Sequence, residues 1–233
     1  MTASSPLPEG QRPLRLYGRR RGRALRAGQQ ALIETLLPRL QIALDPAATS
    51  LDPSQLFEAG IGEVWLEAGF GGGEHLAYQA EAHPHVGIIG CEVFEPGIAR
   101  LLGLINERTT GNVRLFTDDA RLLVAALAPQ SLARVFILFP DPWPKERHKK
   151  RRLVSTETLD ALARAMSDEA ELRIATDDPD YAAWIEERLN AHPAFARVAI
   201  VARPTDWPAT RYEKKALAQG RSAQLFLCQR RAR

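Results

Sequence analysis

Residues 133–153 read ARVFILFPDPWPKERHKKRRL. Within them VFILF is apolar at every position. It lacks the alternation of a strand with one wet face, so it reads as a strand covered on both sides. Such strands occur in parallel sheets whose two faces carry helices. The segment from Pro140 onward is opposite in character. Asp141 sits between Pro140 and Pro142, Trp143 between Pro142 and Pro144, and Lys145, Arg147, Lys149, Lys150, Arg151 and Arg152 form a dense basic run. An acid and an aromatic ring on a proline-stiffened turn place chemistry at the rim of a sheet.

The flanking sequence supplies the rest of that sheet. VWLEAG (64–69), VGIIGCEV (86–93), NVRLFTDD (112–119), ELRIATD (171–177), FARVAIVA (195–202) and AQLFLCQR (223–230) read as further strands. Helical patterns lie between them: EHLAYQAEA (74–82), PGIARLLGLINER (96–108), ARLLVAALA (120–128), TETLDALARAM (156–166) and DPDYAAWIEERLN (178–190). Asp178 is placed as an N-cap with Pro179 in the first helical position. This alternation predicts a doubly wound, mostly parallel α/β sheet of the Rossmann-like class, with about seven strands and helices on both faces. No helical pattern separates the final two strands, so the sheet is expected to end antiparallel and hairpin-like. QQALIETLLPRLQI (29–42) predicts a short helix ended near Pro38. Residues 1–28, rich in Pro, Gly and Arg, predict a basic flexible arm ahead of a single domain over 29–233.

Hydrophobic residues at 45% and charged residues at 25% fit a soluble globular chain. The net charge is only +3, but its distribution is uneven. Seven arginines and no acid lie between Arg12 and Arg26, and a third basic group, Arg211, Lys214 and Lys215, comes late in the chain. Three such clusters predict a polyanionic partner bound with steep salt dependence. Cys91 and Cys228 have neither metal nor disulfide spacing, as expected of a reducing cytoplasm. His75, His83, His85, His148 and His192 show no metal pattern; they and the cysteines are expected at surface, loop or capping positions. No metal is therefore expected, and since no apolar run reaches membrane-spanning length, no membrane partner is expected either.

Ligands of such sheets bind beyond the C-terminal strand ends. That rim receives Glu67, Glu92, Asp118, Asp119, Asp141 and Asp177, beside the glycines Gly69, Gly71 and Gly73 of EAGFGGGEH. The glycines allow backbone to approach a ligand where a Cβ would collide. A dinucleotide fingerprint started at Gly69 needs Gly or Ala at position 74 and meets Glu74 instead, which argues against a nicotinamide cofactor. An adenosine ligand without pyrophosphate fits better. In S-adenosylmethionine the ribose hydroxyls suit Glu92, the cationic amino and sulfonium groups suit acids such as Glu67, and Asp119 is within reach of the adenine amino group.

YGRRRGR, LEAGFGGGEH, GCEVFEPGI, ILFPDPWPKERHKKRRL, IATDDPDY and ATRYEKKALAQGR together resemble the bacterial tRNA (guanine-N7)-methyltransferases, over nearly the whole chain. The basic motif together with TRYE is specific; the glycine loop is not. Ala68 stands where a branched residue is usual, Gly72 where a larger one is common, and TDDA leaves the adenine contact open between Asp118 and Asp119. The resemblance implies methyl transfer from S-adenosylmethionine to N7 of a guanine in the tRNA variable loop. It implies cofactor contacts at Glu67, Gly69, Gly71, Gly73, Glu92, Asp119 and Asp141, with Asp141 catalytic. It implies substrate contacts at Lys145, Asp177, Thr210, Arg211, Tyr212 and Glu213, and RNA backbone contacts at Arg147, His148, Lys149, Lys150, Arg151 and Arg152. It also implies tRNA as partner; a complete site in one chain suggests no obligatory protein partner, and a monomer or homodimer is expected. Methylation of another RNA, or silent RNA binding on the same scaffold, stands as the alternative.

Guanine N7 has a lone pair and no hydrogen, so a general base would be idle. Catalysis then rests on positioning and on negative charge near the developing cation, which Asp141 can supply. Trp143 is placed either stacked on a base or packed beneath its loop.

Overall fold

Val64, Leu66 and Ala68 face one side of the first strand and Trp65 the other, and all four are buried. That double burial forces a layer of helices onto each face. A computed structural model describes residues 18–233 apart from Pro46 and Thr109. The rest of the basic arm, residues 1–17, lies outside the described residues. In chain order the elements are α1 (Ala27–Thr35), α2 (Leu37–Leu40), β1 (Glu63–Ala68), α3 (Glu74–Ala82), β2 (Val86–Cys91), α4 (Glu95–Arg108), β3 (Val113–Phe116), α5 (Ala120–Ala126), β4 (Leu132–Leu138), α6 (Thr156–Ala165), β5 (Met166–Thr176), α7 (Pro179–Ala191), β6 (Phe195–Val198), α8 (Arg211–Ala218) and β7 (Gln224–Arg230).

The sheet has seven strands in the order β3-β2-β1-β4-β5-β7-β6. β1 to β5 pair in parallel; β7 runs antiparallel to both β5 and β6 and lies between them. One core packs Leu123 of α5, Leu162 of α6 and Ile185 of α7 against Leu66, Val135, Ile137 and Ile174. The other packs Leu76 of α3 and Leu101 and Leu102 of α4 against Trp65, Ile88 and Phe136. Chain direction reverses at β1, where β2 and β4 leave on opposite sides, so a crevice opens above the C-terminal ends of β1, β2 and β4. Asp178 caps α7 by accepting from the Tyr181 N–H at 2.8 Å, with Pro179 in the first turn.

Three expectations need correcting. α8 lies between β6 and β7, so their antiparallel pairing is not a hairpin but is bridged by residues 199–223. Only Ala216 of this eight-residue helix is buried; its trace in the sequence is the Thr210–Glu213 spacing, with Thr210 Oγ1 accepting from the Glu213 N–H at 3.1 Å. Pro38 does not end a helix but sits in the first turn of α2, after α1 stops at Thr35. The two cysteines and one of the histidines are interior: Cys91, Cys228 and His75 are buried within strands and a helix, whereas His192 is buried at the C-cap of α7, a capping position as expected. Among the described residues no helix is long and apolar enough to cross a membrane.

Candidate active site

The crevice is a cleft of about 420 Å³. The loop after β1 forms its floor. Gly69, Gly71 and Gly73 have φ of 78°, 57° and 77°, left-handed values that L side chains rarely adopt. A Cβ on Gly73 would meet Leu101 at 2.6 Å, and one on Gly97 of α4 would run into the Gly71 carbonyl, so the loop is pressed onto α4 with no room to spare. Glu92, just past β2, closes the loop from the other side. One carboxylate oxygen accepts from the Gly71 N–H at 2.8 Å; the other accepts from Val93 and Phe94 N–H at 2.7 and 2.9 Å. A carboxylate offers about four acceptor directions, which leaves one for a ligand hydroxyl. Burial raises the Glu92 pKa; hydrogen bonds from Phe94, Gly71 and Val93 oppose this, and the charge of Asp141 adds to it.

Glu67 is 2% exposed and is bonded to Nδ1 of His75 at 2.7 Å. Asp119 caps α5 and is tied to the Arg121 guanidinium at 2.5 Å, while Asp118 takes Arg20 at 2.8 Å. Both aspartates line the cleft. Residues 18–22 of the arm are packed there too: the Arg20 carbonyl accepts from the Glu95 N–H at 2.9 Å, and Gly18 and Arg19 line the mouth. An acid-rich wall beside the glycine loop fits a cationic adenosine ligand and opposes a pyrophosphate.

Asp141 faces this wall from the end of β4. Its turn is strained on both sides, since Phe139 and Trp143 are non-glycine residues with φ of 55° and 44°. Each such residue costs on the order of 1–2 kcal/mol and persists only where its surroundings enforce it. Two contacts enforce it here: the Phe139 N–H donates to the Ala175 carbonyl of β5 at 2.8 Å, and Arg152 Nε donates to the Pro142 carbonyl at 2.8 Å. Asp141 is open to solvent on one side. The cleft walls nevertheless strip enough water from its carboxylate to hold its pKa above the ordinary range. Trp143 lines the cleft with Arg151 over its ring at 5.0 Å and His148 edge-on at 5.9 Å.

The basic run divides. Arg147 and Lys150 are exposed, Lys149 is shared between Glu146 and Asp180, and His148 is kept toward its neutral form by desolvation and the cations around it. Arg152 corrects the reading of the run as phosphate contacts throughout. Its side chain is 0% exposed, paired with Asp180 and stacked between Tyr181 and Trp184 at 4.8 and 4.9 Å. A guanidinium enclosed in this way cannot reach a phosphate. Thr210, Arg211 and Tyr212 line the cleft, with the Tyr212 ring against Gly71. Lys145, Asp177 and Glu213 do not line it; Asp177 pairs with Arg221 at 2.9 Å and Glu213 with Arg203 at 2.5 Å. No group of three or more His, Cys, Asp or Glu among the described residues could hold a metal.

Known proteins share this chain's sequence and fold. A family model described as "Putative methyltransferase" matches residues 62–225. The tRNA (guanine-N(7)-)-methyltransferase of Paramagnetospirillum magneticum is 54% identical over 224 residues, covering 94% of each chain. Its counterpart in Granulibacter bethesdensis is 50% identical, covering 90% of this chain and 92% of its own. The chain belongs to the tRNA (guanine-N7)-methyltransferase family. Solved structures support the fold alone. The 16S rRNA methyltransferase KamB superposes with a TM-score of 0.57 at 14% identity, covering 79% of this chain and 96% of that one. The 16S rRNA (adenine(1408)-N(1))-methyltransferase of Catenulisporales acidiphilia gives 0.54 at 16%, covering 80% and 96%.

In this family member, sequence reasoning missed the residues behind the rim. His75, which lines the cleft beside Glu67, and Gln79 stand one turn apart on α3. Asp206 accepts from Arg134 at 2.8 Å and from Arg173 at 2.9 Å, pinning the segment that leads to Thr210. The spacing of His75 and Gln79 on one helix was visible; their partner 127 residues away was not.

Proposed function

We propose that the chain transfers a methyl group from S-adenosylmethionine to N7 of a guanine in the variable loop of tRNA, with Asp141 as the catalytic residue. The observation that carries this reading is the convergence of the glycine loop, Glu67, Glu92, Asp141 and Tyr212 on one cleft, with exposed cations of the basic run beyond it. Bound there, S-adenosylmethionine supplies an electrophilic methyl group on a sulfonium. The free acceptor direction of Glu92 suits a ribose hydroxyl, and Glu67 suits the cationic groups. Asp141 accepts from the guanine N–H edge and opposes the positive charge that grows on the purine as the N7–methyl bond forms and the methyl–sulfur bond breaks. Arg147 and Lys150 hold phosphates and thereby set the position of the RNA.

Incubation with unmodified tRNA transcript and S-adenosylmethionine, followed by nucleoside analysis, is expected to yield 7-methylguanosine. Another methylated nucleoside would redirect the substrate, and none at all would leave a binding protein. The double variant Arg147→Ala, Lys150→Ala is expected to flatten the slope of log affinity against log salt by about 1 per lost contact. An unchanged slope in a salt titration would remove these residues from the RNA surface.

Cofactor affinity has a predictable pH dependence. Glu92 serves a ribose as a carboxylate, and its pKa is raised. Affinity for S-adenosylhomocysteine should therefore fall on acidification sooner than an ordinary carboxylate would dictate. Asp141 contributes to that rise, so Asp141→Asn should move the midpoint to lower pH. Calorimetric titrations across pH check both; a midpoint unmoved by Asp141→Asn would uncouple the two carboxylates.

A further inference from the structure

From the cleft wall, which Glu67 and His75 both line, a chain of polar groups runs into the body of the protein. Glu67 is bonded to His75 Nδ1 at 2.7 Å, and Gln79 Nε2 lies 3.2 Å from His75 Nε2 and 2.6 Å from the Asp206 carbonyl oxygen. Glu67, His75 and Gln79 are all buried, and the ring of Phe136 stands edge-on to the imidazole at 4.8 Å. The bonds fix every proton in the chain. A backbone carbonyl only accepts, so the Gln79 atom against Asp206 is its amide nitrogen. The same nitrogen faces His75 Nε2, which must therefore accept. The ring proton is then on Nδ1 and is donated to Glu67. Gln79 Oε1 has no partner among the described residues, so the amide orientation is set by the Asp206 carbonyl alone.

Glu67 is thus held by a neutral imidazole. Among the described residues no Lys or Arg pairs with it. A carboxylate 2% exposed, opening on a cleft and lacking a cationic partner, awaits one from the ligand.

The geometry points to His75 as a positioning residue: locked as the Nδ1–H tautomer by Gln79 and the Asp206 carbonyl, it aims the Glu67 carboxylate at the cationic amino-acid end of the cofactor without cancelling its charge. This rests on the proposed cofactor reading, and it adds a determinant of which part of the ligand is recognised. A histidine that donated from Nε2, or a cation in its place, would turn or neutralise the acid.

The test compares two ligands that share the adenosine thioether but differ in the amino-acid arm. S-adenosylhomocysteine carries the ammonium; 5′-methylthioadenosine does not. By calorimetry, His75→Leu is expected to weaken S-adenosylhomocysteine by about tenfold or more, the worth of a hydrogen bond to a charged group, while leaving 5′-methylthioadenosine unchanged. Normal binding of the second ligand also shows that the variant is folded. His75→Asn, whose amide nitrogen falls near Nδ1, should recover most of the affinity, and His75→Gln, whose nitrogen falls near Nε2, should not. In turnover, KM for S-adenosylmethionine should rise while KM for tRNA stays put. Equal losses for both ligands, or better rescue by Gln than by Asn, would overturn the positioning role. Glu67→Gln separates the two levels. If it leaves S-adenosylhomocysteine binding intact, the reading of Glu67 itself fails; if it weakens binding while His75→Leu does not, only the relay fails.

Discussion

Asp141→Ala is expected to lower turnover by roughly 10²–10³-fold, the cost of removing one preorganised group aimed at transition-state charge, while tRNA affinity stays within a few-fold. The split follows from placement. Asp141 lies inside the cleft, whereas the exposed cations Arg147 and Lys150 lie on the run beyond it. Asp141→Asn divides the effect further, because the amide keeps an acceptor and loses the charge. A rate for Asn close to that of Ala would assign the loss to charge, and a rate close to wild type would assign it to orientation. Single-turnover rates at saturating tRNA, beside equilibrium binding of tRNA, make the measurement. Wild-type turnover in the Ala variant would strip Asp141 of its role.

Arg152→Ala is expected to destabilise the fold by about 3 kcal/mol, lowering Tm by roughly 6–12 °C for a chain of this size. The substitution removes the donor to the Pro142 carbonyl, leaves Asp180 of α7 with Lys149 alone, and vacates the space between Tyr181 and Trp184. Arg152→Lys should rescue little, since an ammonium cannot reproduce the planar fork stacked on two rings. The prediction opposes the one for Arg147 and Lys150. Thermal unfolding should move for Arg152 and stay put for the other two; the salt slope of tRNA binding should behave in reverse. An Arg152→Ala variant with unchanged Tm and a flatter slope would return this residue to the RNA surface. Its loss should also release the strained turn at Phe139 and Trp143, so residual activity should fall further than the fraction unfolded accounts for.

Most of the fold was legible because it is written in short-range patterns. VFILF has no alternation and β4 is buried through Val135–Leu138; EHLAYQAEA coincides with α3. The rim was legible because a doubly wound sheet delivers the ends of its parallel strands to one side, which placed Glu67, Glu92 and Asp141 in a common cleft before any coordinates. Three things were not legible. α8 is eight residues long and buries only Ala216, so it has no core-facing stripe to read. Arg152 reads as one more cation in a basic run, and only the return of α7, with Asp180, Tyr181 and Trp184, encloses it. Asp177 ends β5 as expected, yet β7 pairs beyond it and Arg221 draws its carboxylate away from the cleft. The last two misses depend on contacts between residues distant in sequence, where periodicity and spacing carry no information.

The strand order has a consequence for how the protein is made. β7 is the last strand in the chain, yet it occupies an inner position, pairing with Leu172 and Ile174 of β5 on one side and Ala196 and Arg197 of β6 on the other. During synthesis β1 to β5 can assemble as they emerge, but β6 has no neighbour in the sheet until Gln224–Arg230 leaves the ribosome. Until then the far side of β5 is an open edge of backbone donors and acceptors, the kind of surface on which nascent chains pair with one another. Completion of this sheet therefore waits for β7 to emerge. Premature termination within the last strand would leave a nearly whole cofactor cleft on a particle prone to aggregate.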